Sequence, residues 1–213
     1  MSKIRIPKYS LSEELINSIS HGIGAGFAIV YLILMIIKAH GGLAISLVSI
    51  LGASMIILYT ISCIYHALSP RIKGKIVLRI LDHCNVFLLV YTTYTVFCLL
   101  AIRGILGWVL FGITTLFTIL GIIFSAINVD KYSLIAVICH LIVGWSALCG
   151  ISQLYNNIGT QGLFFLILGG IMYSIGSILY GIGKNKKYMH CIFHFFCLFG
   201  TFFHFISIYF YVI

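Results

Sequence analysis

The chain has 213 residues, 62% of them hydrophobic and only 8% charged, where globular chains usually carry about 25% charge. That excludes a soluble globular domain, which cannot cover its surface with so few charges, and it excludes disorder, which requires low hydrophobicity. The net charge of +9 would point to nucleic acid in a soluble protein. Here the basic residues fall between long apolar runs, where membrane topology accounts for them, and no nucleic-acid partner is expected.

In chain order, Met1 to Leu15 is a polar, basic segment, read as the cytoplasmic N-terminus (1–15). The apolar run after it is too long for a signal peptide and lacks a small-residue cleavage pattern. It predicts a first transmembrane helix at about Ile16 to Ile37. Further spans are predicted at about Leu43 to Ala67, Leu78 to Ile102, Ile105 to Asn128, Ser133 to Gln153, Leu163 to Ile182 and Met189 to Ile213. Breaks fall at Lys38–Gly42, Ser69–Lys75, Arg103–Gly104, Asp130–Lys131, Asn156–Gly162 and Gly183–Lys187. The expectation is all-α: a polytopic membrane protein whose residues 16–213 form a single seven-transmembrane-helix bundle. Short loops predict antiparallel neighbours.

The basic residues support seven spans. Lys3, Arg5, Lys8, Arg71, Lys73, Lys75, Arg79, Lys131, Lys184, Lys186 and Lys187 then share one side, against Lys38 and Arg103 on the other. Eleven against two places the N-terminus in the cytoplasm and the C-terminus outside. The seven cysteines (63, 84, 98, 139, 149, 191 and 197) lie in apolar runs with no C-x-x-C, and read as small buried hydrophobes.

Ionisable groups inside apolar spans are costly and are functional candidates by default. With seven spans, His66 lies at the cytoplasmic end of the second, Asp82 near the start of the third, and His190 and His194 in the first two turns of the seventh. The four therefore share one depth. The i, i+4 spacing of His190 and His194 is how a helix presents two imidazoles to one metal, and three neutral imidazoles suit zinc with one position left for water. Asp82 has two readings: a hydrogen-bonding partner or general base for that water, or an ion pair with Arg79 one turn earlier. Ser62, four residues before His66 on the same face, would hold the water or a substrate oxygen, or would bond its own backbone.

The other histidines are weaker candidates. His83 points about 100° away from Asp82 around the helix. His21 reads first as a structural hydrogen-bonding group near the cavity, and His140 as a buried one. His204 lies about 21 Å beyond His190 along the helix axis, too far to be a ligand. His40 is a loop residue. Gly22, Gly24 and Gly26 lack the preceding strand of a dinucleotide site and read as helix-packing positions.

The same polar segments carry a resemblance. E-E-L-I-N-S-I-S-H-G-I-G at 13–24, S-C-I-Y-H at 62–66, L-D-H at 81–83, G-G-I-M-Y-S-I-G at 169–176 and H-C-I-F-H-F-F-C-L-F-G-T-F-F-H-F at 190–205 resemble the bacterial hemolysin III proteins. That family is related to the progestin and adiponectin receptors and, more distantly, to alkaline ceramidases. The resemblance spans nearly the whole chain. It implies a bacterial plasma membrane and a seven-helix bundle with zinc held by His66, His190 and His194, and it matches Ser62 and Asp82 to the family's accompanying serine and aspartate. One stretch departs: Thr92-Thr93-Tyr94-Thr95-Val96 stands where the family usually has Gly-Thr-Tyr-Thr-Pro, which puts a kink in doubt.

The leading functional expectation is a zinc-dependent hydrolase of an amide or ester bond in a membrane lipid, with Asp82 and Ser62 as catalytic residues. The alternatives are a cytolysin, as the family name implies, and a non-catalytic receptor-like or membrane-homeostasis protein with a structural zinc. A retinal protein is disfavoured because the seventh span has no lysine, and a transporter because no internal repeat is visible.

Overall fold

The computed structural model describes residues 6–182 and 186–213, and these are helical with no strand among them. The helices are α1 (Leu11–Lys38), α2 (Gly42–Ala67), α3 (Gly74–Val96), α4 (Gly104–Asn128), α5 (Ser133–Trp145), α6 (Ile151–Ile182) and α7 (Met189–Ser207). A π-helical turn, Phe97–Ile102, prolongs α3. A 3-10 turn, Ser146–Gly150, joins α5 to α6, and a second π-helical turn, Ile208–Val212, follows α7. Lys3, Arg5, Gly183 and Lys184, all used in the topology argument, lie outside the described residues.

The first helix begins at Leu11 rather than near Ile16, because Ser10 caps it. The Ser10 hydroxyl accepts from the Glu13 backbone N–H, and the Ser10 backbone N–H donates to Glu13 Oε2 at 2.8 Å. This is the reciprocal S-x-x-E cap, which satisfies two otherwise orphaned donors. Beyond it, α1 is inside-out by the standard of a soluble helix. Its outward stripe is Ile19, Ile23, Phe27, Val30, Ile33 and Ile37, each about half exposed or more. Its buried face holds Glu13, Asn17, Ser20 and His21. Apolar residues outside and polar residues inside is the arrangement a hydrocarbon solvent selects.

Six stretches are long and apolar enough to cross a membrane. Around them α1 packs on α2 and α7, α2 on α3, α3 on α4 and α5, and α6 on α7. The third stretch, Gly74–Ile102, is the central one: 72% of its most apolar window is buried, against 28% for α1 and α4. Polar groups within the bundle bond one another. Ser54 pairs with Thr92 at 2.7 Å, Thr201 with both Tyr59 and Tyr173, and His204 Nε2 lies 3.2 Å from the Leu166 carbonyl oxygen.

The fifth and sixth predicted spans run together as one 49-residue apolar stretch, Ser133–Gly181. Within α6 the non-helical residue is Gly159, at φ 67°, ψ −178°, inside the 156–162 break expected from the sequence. The missing proline in the third span also has a visible outcome: α3 runs unbroken through Val96 and widens only afterwards, in the π-helical turn.

Candidate metal centre

The end of α2, the start of α3 and the starts of α1 and α7 converge. Glu13 Oε1 accepts from the Tyr188 backbone N–H at 2.7 Å, which joins the first turn of α1 to the entry of α7. His66 and His194 are buried, and His190 is partly so. Their Nε2 atoms face one another: His190 to His66 is 3.3 Å and His190 to His194 is 3.1 Å. One nitrogen from each lies within 4.8 Å of the others, so the cluster could hold a metal ion. In tetrahedral coordination with bonds of about 2.0–2.1 Å, ligand nitrogens stand about 3.3–3.4 Å apart. The His190–His66 separation of 3.3 Å matches that spacing, and the His190–His194 separation of 3.1 Å is slightly shorter. The donor set also fits, since three lone pairs turned on one point repel unless a cation or protons lie between them.

The sequence placed Asp82 at this depth, and the structure brings it to the same cavity as His190 and His194, of about 60 Å³. That is room for about two water molecules. Ser62 is fully buried, its Oγ is not bonded to its own backbone, and Asp82 is the hydrogen-bonding group beside it. The alternative of a hydroxyl bonded to its own backbone is therefore not realised. Arg79 directs both terminal guanidinium nitrogens at Asp130, 3.0 and 2.7 Å away.

His83 lines the cavity alongside Asp82, although the helical wheel turns the two apart. His21 is 3% exposed and stacks flat on His194, with centroids 3.7 Å apart. The polar group beside its ring is the backbone of His194, so His21 is held against the α7 ligand helix by stacking and by that contact. His140 stacks on Phe87, and its buried Nδ1 has no hydrogen-bond partner among the described residues. His204 sits against Leu166 further along α7, away from the cluster, and His40 lies in the α1–α2 connection.

Three residues around the cluster were missed at the level of sequence. His66 Nδ1 lies 2.6 Å from Glu14 Oε2, and Lys75 Nζ donates to Glu14 Oε1 at 2.6 Å and to the Leu68 carbonyl at 2.7 Å. Lys75, counted as a loop cation, is fully buried in the first turn of α3. Tyr9 stacks on His190 at 5.1 Å and covers the cluster from the chain's N-terminal side. Burial pushes its phenol pKa upward, so the cap is a neutral ring. The only sequence signal for Glu14 was an acid at the mouth of an apolar run.

A multi-pass integral membrane protein with a buried three-histidine cluster at one end of its bundle is the class that this fold and site define. Residues 9–205 match the family described as Haemolysin-III related. The chain is 37% identical over 207 residues to Hemolysin-3 of Bacillus cereus, covering 95% of this chain and 93% of the relative. It is 36% identical over 196 residues to the Hemolysin-3 homolog of Bacillus subtilis (strain 168), covering 91% of each. The chain belongs to the Haemolysin-III related family.

Proposed function

We propose that His66, His190 and His194 bind one zinc ion and that the protein hydrolyses an amide or ester bond of a membrane lipid there. The observation that carries this reading is the meeting of three Nε2 atoms beside a small cavity lined by His190, His194 and Asp82, with buried Ser62 next to Asp82. When bound, zinc supplies Lewis-acid polarisation of a carbonyl and acidifies a water molecule. Asp82 accepts the proton of the attacking water and orients it. The Ser62 Oγ hydrogen-bonds the water or the substrate oxygen. Leu58, Val86 and Phe87 supply the apolar wall that excludes bulk water and faces acyl chains.

The proposed topology is seven spans, with the N-terminus cytoplasmic and the C-terminus outside. A straight helix of 49 residues would be about 74 Å long, more than twice the hydrocarbon thickness of about 30 Å. A reversal at Gly159 divides Ser133–Gly181 into two spans of suitable length. Gly41, at φ 85°, and Arg103, at φ 59°, stand at the two other turns assigned to the same side.

The experiment is zinc content of purified protein, followed by turnover on a panel of lipid amides and esters. One zinc per chain with turnover supports the hydrolase. One zinc with no turnover on any lipid favours a structural zinc in a non-catalytic protein. The relatives bear the name hemolysin, so release of dye from vesicles belongs in the same assay. Leakage without product would favour lysis as the activity.

A further inference from the structure

Resting on the zinc reading above, we propose that Glu14 and Lys75 are positioning residues that fix the tautomer and aim of His66. An ionised carboxylate only accepts hydrogen bonds, so at 2.6 Å from Glu14 Oε2 the Nδ1 atom of His66 carries the ring proton. The lone pair is then confined to Nε2, the atom that faces His190. The second oxygen of Glu14 is held by Lys75, whose ammonium is in turn held by the Leu68 carbonyl two residues beyond His66. The carboxylate is thus clamped between two cationic or proton-bearing groups and cannot swing away from the imidazole.

This arrangement is peculiar to His66. Among the described residues no carboxylate bonds the Nδ1 atoms of His190 and His194; beside His194 the polar group is the backbone of Asn17. Those two rings are instead held by being one turn apart on α7, and by Tyr9 and His21 stacked on their faces. His66 comes alone from α2 and needs a separate support. A fully buried lysine is otherwise hard to account for, because its desolvation is offset only by a close, well-bonded counter-charge. Outer partners of this kind usually contribute about 10–100-fold to metal affinity. Here they come from α1 and α3, so the strength of metal binding depends on four helices although only two supply ligands.

The test is zinc affinity by chelator competition on the full-length protein in lipid nanodiscs. The variants are Glu14→Gln, Glu14→Leu, Lys75→Met and the Glu14→Leu, Lys75→Met double variant. Side-chain ¹⁵N shifts of His66 report its tautomer. Glu14→Leu should weaken zinc binding by about 10–100-fold and should mix the His66 tautomers. Glu14→Gln keeps an acceptor oxygen and the side-chain shape, so it should keep the tautomer and lose less affinity. Lys75→Met should weaken zinc binding in the native background but not once Glu14 is Leu, because it acts through Glu14. Zinc affinity and tautomer unchanged in Glu14→Leu, with only the melting temperature lowered, would overturn the proposal while leaving the zinc reading intact. A native chain that binds no divalent metal would overturn both.

Discussion

Arg79 grips Asp130 with two parallel hydrogen bonds, tying the first half of α3 to the turn between α4 and α5. Arg79 was the residue that could have claimed Asp82 for a purely structural ion pair one turn along the same helix. With that guanidinium engaged by Asp130, Asp82 is left facing the cavity beside His190 and His194.

Asp82→Asn should therefore separate catalysis from structure. The side chain keeps its volume and loses its ability to accept a proton. Zinc content should stay near one per chain, since the three imidazoles are untouched, and the melting temperature should move little. Lipid turnover should fall about 10²-fold or more, the usual scale for a lost general base. Full turnover with zinc retained would defeat the hydrolytic mechanism. The contrasting variant, Asp130→Asn, should lower the melting temperature and leave zinc content unchanged.

The histidines of α7 should divide sharply by position. His194→Ala should abolish stoichiometric zinc, and the protein should then gain no thermal stability from added zinc. His204→Ala should keep its zinc, because that ring sits against Leu166, far along α7 from the cluster. It should still be less stable, since a buried ring bonded to a carbonyl is lost. Metal analysis and thermal unfolding on the two variants check both statements. Stoichiometric zinc in a His190→Ala, His194→Ala double variant would remove the assignment.

Gly159 should be strained by a side chain. At φ 67°, ψ −178° it occupies a region that residues with a Cβ rarely adopt, Arg103 being the other such turn residue here, and a Cβ at 159 is strained even though no atom lies within 4 Å. Gly159→Ala should lower stability by about 1–3 kcal/mol. Gly26→Ala is the control: that glycine is helical, exposed and free of neighbours within 4 Å. Alanine there should be neutral or stabilising by up to about 1 kcal/mol. Thermal unfolding of the two proteins in one detergent is the measurement.

The proposed orientation is checked by cysteine labelling in whole cells. A reporter cysteine placed after Ile213 should react with an impermeant reagent from outside, and one placed near Lys8 should not. Labelling of the first only from the cytoplasm would reverse the bundle and move the metal centre to the opposite face.

Much of the protein follows from sequence alone, for a physical reason. In hydrocarbon every backbone group must be bonded within its own segment, so apolar length translates almost directly into helices. The cost of an ionisable group there also picks out His66, Asp82, His190 and His194 before any contact is known. Alternation of the spans sets their common depth, and the i, i+4 period puts two of them on one face. Even the earlier start of α1 was written in Ser10 and Glu13, in a short polar pattern easily outweighed by the apolar run after it. Tertiary structure decided what sequence spacing cannot encode: which side chain meets which across helices. Glu14 and Lys75 look like ordinary charges at the ends of spans until α1, α2 and α3 close around His66. Arg79 has candidate partners both three residues along its helix and across the bundle, and only the packing of α3 beside the α4–α5 turn selects Asp130. His21 carries the same residue type as the metal ligands at nearly the same depth. Its stacking on the face of His194, rather than beside the converging nitrogens, depends on the rotation of α1 about its own axis, which local sequence does not fix.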